Sequence, residues 1–210
     1  MVKERQGNVL YAEEDVIAHQ VNCYGRMDTG VSKEIRNKLL SIIQFHQHQR
    51  MCEMKNTELL GSCQIMKTVN EKYVANLFAE VIPVSRGGET DYDALEQALW
   101  ELQSIASENQ LSIALPAYLG CGQTGGDWET AYQIIKKVFE GSRTKAVIYY
   151  QADDIRRLWE DFGDVQMDPV TEGIESEWHD FPVETHRELI WHWFEETFHI
   201  SVAHDLIGTC

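Results

Sequence analysis

The stretch Ser112–Trp128, SIALPAYLGCGQTGGDW, runs from an apolar segment through a glycine-rich loop into a capped helix. Leu111–Leu115 is typical of a short buried strand that Pro116 ends, and Asp127 can cap the next helix. Glycine lets a backbone approach a ligand closely, and a helix N-terminus offers unpaired amides that suit a phosphate. The loop Gly120–Asp127 therefore predicts a phosphate site; glycines that merely turn the chain are the alternative.

The same loop contains the spacing G-x-G-x-x-G at Gly120, Gly122 and Gly125, which imitates a dinucleotide-binding fingerprint. Two observations argue against that interpretation. Residues 116–119 separate the strand from the first glycine, where the fingerprint requires a tight turn. Only one further strand is predicted downstream, so a wound sheet cannot be completed there.

A second loop with glycines, NCYGRMDTGV, occupies Asn22–Val31. It follows the apolar, β-branched segment Val16–Val21 and precedes residues at helical spacing. We expect the two loops together to clamp a diphosphate from both sides. The residues at helical spacing are Val31, Ile35, Leu39 and Ile42.

The remaining pattern continues the alternation of strands and helices. A turn at Asn70-Glu71 separates two of the strands, and Thr90 is predicted to cap a helix. One face of that helix carries Leu95, Leu99, Leu102 and Ala106, and the predicted strands are Cys63–Val69, Tyr73–Phe78 and Ala146–Tyr150. This alternation predicts an α/β layered domain with a largely parallel sheet.

Charge divides the chain unevenly. Residues 153–210 contain fifteen acidic and three basic residues, a net charge of −12, whereas residues 1–152 carry a net charge of −4. We therefore predict two domains, 1–152 and 153–210. The second is expected to be a small acidic helical domain, with a capping box at Thr185–Glu188. Its sequence resembles a recurring small bacterial or phage module, and a basic protein is its expected partner.

Composition limits the possible partners and location. The formal net charge of −16 argues against nucleic acid, and the apolar runs are too short to span a membrane. Five scattered cysteines without a C-x-x-C pair, and an N-terminus without an apolar segment, predict a cytoplasmic protein with reduced thiols. The spacing of the histidines does not favour a metal site, and no cofactor is expected.

Residues 6–151 resemble a macro domain, the ADP-ribose-binding fold with three layers, α/β/α, and a mixed, largely parallel sheet. The resemblance rests on Gly7–Leu10, on Ile17–Asn22 and on the two loops. The GCG…DW pattern is most similar to the branch that holds terminal ADP-ribose protein glycohydrolases and yeast-type ADP-ribose 1″-phosphatases.

The resemblance implies how ADP-ribose or a derivative would bind. Adenine would meet the segment after Gly7, the distal ribose would bond Asn22, and the loop amides would hold the diphosphate. An asparagine that only caps the loop is the alternative for Asn22, with ligand contact favoured. The implied ligand-binding residues are Asn8, Val9, Asn22, Met27, Asp28, Thr29, Gly30, Val31, Pro116, Gly120, Cys121, Gly122, Gln123, Thr124, Gly125 and Gln151.

The resemblance also bears on catalysis. The glycohydrolase branch uses a lysine after the fourth strand and an aspartate in the second loop; this chain has Asn76–Glu80 and Thr124 there. His19 matches the histidine of the yeast-type phosphatase and is the candidate nucleophile or acid/base, although a buried core histidine is equally open. The expected function is hydrolysis of an ADP-ribose derivative, either of the ADP-ribose 1″-phosphatase type or as de-ADP-ribosylation. The alternatives are a non-catalytic ADP-ribose reader and an interaction protein acting through its acidic tail.

Overall fold

The computed structural model describes residues 2–83, 86–121 and 126–151. Strands and helices alternate along them. The strands are β1 (Val2–Gln6), β2 (Val16–Asn22), β3 (Cys63–Lys67), β4 (Tyr73–Glu80), β5 (Ile113–Pro116) and β6 (Ala146–Tyr150). The α-helices are α1 (Gly30–Lys38), α2 (Ile42–Lys55), α3 (Tyr92–Glu108) and α4 (Trp128–Phe139), and short 3-10 helices occupy Val9–Tyr11 and Asn56–Leu59.

The chain divides into two compact units. Residues 1–3 and 7–149 form one, and residues 4–6 group with 150–210 in the other. The expected tail helices, the capping box at 185–188 and the five tail histidines lie outside the described residues. The boundary between residues 152 and 153 therefore stays a prediction.

The strands form one sheet in the order β1-β6-β5-β2-β4-β3. Neighbours from β6 through β5 and β2 to β4 are parallel, and β3 pairs antiparallel with β4. The predicted α/β class with a mixed, largely parallel sheet is confirmed. After β2 the chain continues to β3 and β4, which lie on one side of β2. After β5 it continues to β6, which lies on the other side of β5. The direction in which strands are added therefore reverses between β2 and β5. Such a reversal opens a crevice at the carboxyl ends of the two strands.

Burial on both faces explains why β2 is apolar almost throughout. Ile17 and Val21 point to the layer of α1 and α2, and their side chains join its core clusters. Ala18, on the other face, is fully buried and lies opposite Ala75 of β4. A strand covered by helices on both sides needs apolar residues at nearly every position.

The helix predicted from Val31 to Ile42 is two helices. Residues 39–41 separate α1 from α2, and Ser41 begins α2 with a capping box. Its hydroxyl accepts from the Gln44 amide, and the Gln44 side chain accepts from the Ser41 amide. Ile42, expected on the apolar face, is 71% exposed because it starts a new helix whose direction the local caps set.

Two predicted helix caps have different outcomes. Asp127 caps α4 as expected, since its carboxylate accepts from the Thr130 amide at 2.9 Å. Thr90 does not cap α3. Asp91 does, accepting from the Ala94 amide at 2.9 Å, and the hydroxyl of Thr90 is used elsewhere.

Candidate functional site

Both glycine-containing loops lie at the same edge of the sheet. One leaves the carboxyl end of β2 and leads to the N-terminus of α1; the other leaves β5 and leads to the N-terminus of α4. Because β2 and β5 are parallel neighbours, the loops begin on either side of the crevice where the strand order reverses. Two helix N-termini beside one crevice make it suitable for an anion.

The first loop is organised by its own first residue, Asn22. The side-chain oxygen accepts from the amides of Tyr24 at 3.2 Å and Arg26 at 3.1 Å. The side-chain nitrogen donates to the carbonyl of Arg26 at 2.9 Å. The carboxamide is buried, and these three bonds use it to cap the loop. The resemblance implied a ribose contact for Asn22; loop capping was the alternative, and the observed bonds are those of a cap.

The rest of the first loop separates into a core contact and an exposed tip. Met27 is buried and packs in the core cluster that contains Ile35. Asp28 is exposed and pairs with Arg26, whose Nε lies 3.1 Å from the carboxylate. Thr29 precedes α1 without a side-chain cap, Gly30 faces open space, and Val31 is half-buried against the core.

The second loop is described at its two ends. Pro116 ends β5 and is buried, and Cys121 is buried with its thiol donating to the Leu119 carbonyl at 3.3 Å. Gly120 has φ +74°, and a Cβ there would lie 2.4 Å from Gln20 Oε1. Four residues expected to bind ligand, Gly122, Gln123, Thr124 and Gly125, lie outside the described residues.

The segment that the resemblance assigns to adenine follows β1 and a bend at Gly7, which has φ +148°. Asn8 caps the 3-10 helix, its side-chain oxygen accepting from the Leu10 amide at 2.9 Å. Val9 is buried in the same core cluster as Met27. Gln151 is exposed just after β6.

His19 lies at the centre of a buried polar network between the sheet and the layer of α1 and α2. Its Nε2 is 2.7 Å from Asn76 Oδ1, and its Nδ1 is 3.1 Å from Ser32 Oγ. Since Asn76 Oδ1 only accepts, Nε2 carries the proton. Asn76 Nδ2 donates to Gln64 Oε1 at 2.9 Å, and His48 Nδ1 lies 2.7 Å from the same oxygen.

Burial favours the neutral form of both histidines. Burial lowers the pKa of His19 from 6.5 to about 4, more strongly than the bond to Asn76 raises it. Burial also lowers the pKa of His48. His19 is 1% exposed and both its ring nitrogens have partners, which are the features of the core histidine that the sequence left open.

Cys23 of the first loop and Cys52 of α2, which lies against Gly25 of that loop, are poor nucleophiles in this environment. Burial and the nearby Glu80 carboxylate raise the pKa of Cys23 to about 11. Burial, with a smaller contribution from Cys23, raises the pKa of Cys52 to about 12. Thiols with such pKa values hold little thiolate at neutral pH. Within the described residues, no group of three His, Cys, Asp or Glu side chains could hold a metal ion.

Sequence reasoning missed three polar residues that border the site. Thr90 donates to the carbonyl of Gly120, and the hydroxyl of Tyr92 accepts from the Asp127 amide. Glu80 ends β4 beside Asn22 and is buried. Only Glu80 had a usable signal, a carboxylate at the end of an apolar strand; the roles of Thr90 and Tyr92 depend on contacts some 30 residues away.

The fold, together with the crevice and its two loops, identifies the family of proteins to which the chain belongs. Residues 18–135 match the Macro domain family, and the chain belongs to this family of ADP-ribose-binding domains. None of the described helices is long and apolar enough to cross a membrane.

The chain is similar to proteins from bacteria and from a bacteriophage. The chain is 28% identical, over 137 residues, to a 17.5 kDa protein from the tk-vs intergenic region of Enterobacteria phage T4, covering 61% of this chain and 84% of that protein. The macrodomain of Mycobacterium tuberculosis DarG superposes with a TM-score of 0.62 at 23% identity, covering 71% of this chain and 97% of that one. Thermosipho africanus DarTG, solved in complex with ADP-ribose, gives a TM-score of 0.61 at 16% identity, covering 71% and 41%.

Proposed function

We propose that this protein binds ADP-ribose, or an ADP-ribose derivative, in the crevice between the carboxyl ends of β2 and β5. The observation that carries the proposal is the position of the two loops, which leave neighbouring parallel strands and each lead to a helix N-terminus. Amides of both loops would hold the diphosphate, as the resemblance implies for Asp28–Val31 and Cys121–Gly125. Adenine would lie toward Asn8 and Val9, as the resemblance implies.

Between a reader and a hydrolase, the surroundings of His19 favour the reader. A nucleophile or acid/base must reach the substrate, whereas His19 is buried and bonded at both nitrogens. The chain also lacks the lysine and the loop aspartate of the glycohydrolase branch. Hydrolysis of ADP-ribose 1″-phosphate remains the second hypothesis because His19 occupies the matching position. Measuring the phosphate that wild type and His19→Gln release from this substrate tests the hypothesis. Equal release by the two proteins would exclude a catalytic role for His19, and no release by either would favour the non-catalytic reader.

A pair of charged variants tests the binding site. Gly30 and Gly141 both have positive φ, +50° and +77°, and a Cβ at either meets nothing within 4 Å. Gly30 starts α1 at the proposed site, whereas Gly141 follows α4 at the opposite edge of the sheet. Gly30→Asp should weaken ADP-ribose binding at least tenfold by placing a carboxylate beside the diphosphate, and Gly141→Asp should leave it within twofold.

Calorimetry of the full chain with ADP-ribose gives the decisive result. Heat that is lost in Gly30→Asp and kept in Gly141→Asp supports the site. An absence of heat at millimolar ADP-ribose would refute both the reader and the hydrolase. The third hypothesis, an interaction protein whose acidic residues 153–210 bind a basic partner, would then be preferred.

A further inference from the structure

The short segment Thr90–Tyr92, at the start of α3, contacts both ends of the second loop. The hydroxyl of Thr90 donates to the carbonyl of Gly120 at 2.6 Å. The hydroxyl of Tyr92 accepts from the amide of Asp127 at 2.6 Å. We infer that Thr90 and Tyr92 are positioning residues that fix where this loop begins and ends, and thereby set the affinity for the diphosphate of the ligand. The inference rests on the proposed function for its ligand.

The hydrogen bonds of Thr90 have only one possible direction. A carbonyl can only accept, so the single hydroxyl proton of Thr90 must go to Gly120. The lone pair of the hydroxyl then accepts from Gln20 Nε2 at 3.0 Å. A chain of bonds therefore runs from β2 through Thr90 to the first glycine of the loop, and bonds arranged in this way strengthen one another.

The two ends of the loop also pack against each other. A Cβ on Gly126 would lie 2.5 Å from the carbonyl oxygen of Gly120 and 3.0 Å from the hydroxyl of Tyr92. A Cβ on Gly120 would lie 3.0 Å from the hydroxyl of Thr90. Neither position has room for a side chain, so the two glycines permit the close approach through which Thr90 and Tyr92 act.

The segment that holds the loop is itself fixed. The amide of Asp91 donates to the carbonyl of Ala79 in β4 at 2.8 Å, and its carboxylate caps α3 by accepting from the Ala94 amide. Thr90 and Tyr92, on either side of Asp91, are therefore attached to the sheet and to a 17-residue helix. The loop ends take their position from these elements.

Two substitutions remove the contacts with little change of shape, and each has a control. Thr90→Val removes the hydroxyl, whereas Thr90→Ser keeps it. Tyr92→Phe removes the other hydroxyl, whereas Tyr73→Phe makes the same change at the start of β4, at the opposite edge of the sheet. All four are compared with wild type by thermal unfolding, by hydrogen exchange of the peptide 117–128, and by calorimetry with ADP-ribose and with adenosine.

The expected result is selective. Thr90→Val and Tyr92→Phe exchange faster in the peptide 117–128 and bind ADP-ribose about tenfold more weakly, the effect of one lost hydrogen bond. Adenosine, which lacks the diphosphate, binds within twofold of wild type, and both controls behave like wild type. If Thr90→Val proves too unstable to purify, Tyr92→Phe and Tyr73→Phe make the same comparison with an aromatic ring kept in place.

Wild-type exchange in both Thr90→Val and Tyr92→Phe would overturn the inference. An equal loss of affinity for ADP-ribose and adenosine would also overturn it, because general destabilisation would then be the cause. A wild-type protein that fails to bind ADP-ribose refutes the proposed function instead. Faster exchange confined to the two variants would then still assign the loop position to Thr90 and Tyr92.

Discussion

The two loops at the crevice are held in place in different ways. The first is held from within, because Asn22 bonds to Tyr24 and Arg26 in the same short stretch of chain. The second is held from outside, by Thr90 and Tyr92 of a distant segment. The first loop thus has its side-chain cap in its own sequence, whereas the two ends of the second are bonded to a segment that is distant in the chain. A local change should therefore disturb the first loop alone, whereas the second should respond to changes some 30 residues away.

The largest expected difference between the loops comes from adding a methyl group to a glycine in each. Gly120→Ala meets Gln20 Oε1 and Thr90 Oγ1 at a positive φ, and Gly30→Ala has positive φ but open space. We expect losses in the free energy of unfolding of about 4 kcal/mol for Gly120→Ala and about 1 kcal/mol for Gly30→Ala. Urea denaturation measures both. Equal losses would show that the second loop has no tighter packing than the first.

Acid should weaken the packing of the first loop's helix on the sheet, because protonation puts a charge on His19, which is buried between Ser32 of α1 and Asn76 of β4. The folded chain keeps His19 neutral down to about pH 4, whereas the unfolded chain protonates it below about pH 6.5. The free energy of unfolding is therefore highest at neutral pH with respect to His19. It falls by about 3 kcal/mol in all as the pH drops from about 6.5 to about 4. His48, whose pKa is also lowered, adds to the loss.

Denaturant titrations of wild type and His19→Gln at pH 7 and pH 5 measure this dependence. The wild-type protein should lose more stability between the two values than the variant does, because glutamine does not titrate. Parallel behaviour of the two proteins would show that His19 does not carry the pH dependence.

Truncating the cap of the first loop should have the next largest effect. Asn22→Ala removes three hydrogen bonds, and we expect a loss of about 2 kcal/mol in the free energy of unfolding. Asn22→Asp keeps the two accepted bonds but sets a carboxylate oxygen against the Arg26 carbonyl, in a buried position beside Glu80, and should lose at least as much. Thermal or urea unfolding measures the stability of each variant, and calorimetry with ADP-ribose measures its affinity for the ligand. Full stability of Asn22→Ala together with lost binding would mean that Asn22 serves the ligand rather than the loop.

The smallest expected effect concerns the exposed pair of Arg26 and Asp28 at the tip of the first loop. Both side chains are about half exposed, and such pairs contribute little. Asp28→Asn should change the free energy of unfolding by less than about 0.5 kcal/mol. It should strengthen ADP-ribose binding a few-fold, since one negative charge beside the diphosphate is gone. Weaker binding would indicate that the carboxylate itself contacts the ligand.

Much of the fold could be predicted from the sequence because its signals are local. The strand at Ala146–Tyr150 and the start of α4 at Asp127 have the predicted bounds, since an apolar β-branched run and a helix cap act within a few residues. The break before Ser41 was missed because the apolar spacing continues across it, and only the capping box with Gln44 marks the new helix. The strand Val2–Gln6 was also missed, since the segment VKERQ is short and mostly polar.

The candidate site was predictable in position but less so in its contacts. The two loops could be located because glycines follow apolar strands, a pattern that depends on backbone geometry. The sequence favours ligand contact for Asn22 and cannot show the three bonds of a cap, because a carboxamide can either cap a loop or bind a sugar. Thr90 and Tyr92 could not be found, since a threonine and a tyrosine near a helix start carry no sign of partners at Gly120 and Asp127.

The consecutive placement of His19 and Gln20 limits which changes β2 can accept. Their side chains leave opposite faces of the strand, His19 toward Asn76 and Gln20 toward Thr90. Inserting or deleting one residue upstream in the strand would exchange its two faces. The His19 imidazole would then point toward Thr90, and the Gln20 carboxamide would point toward Asn76. A change in the length of this strand would therefore disrupt both arrangements together, whereas a substitution at one of the two positions would disrupt only one.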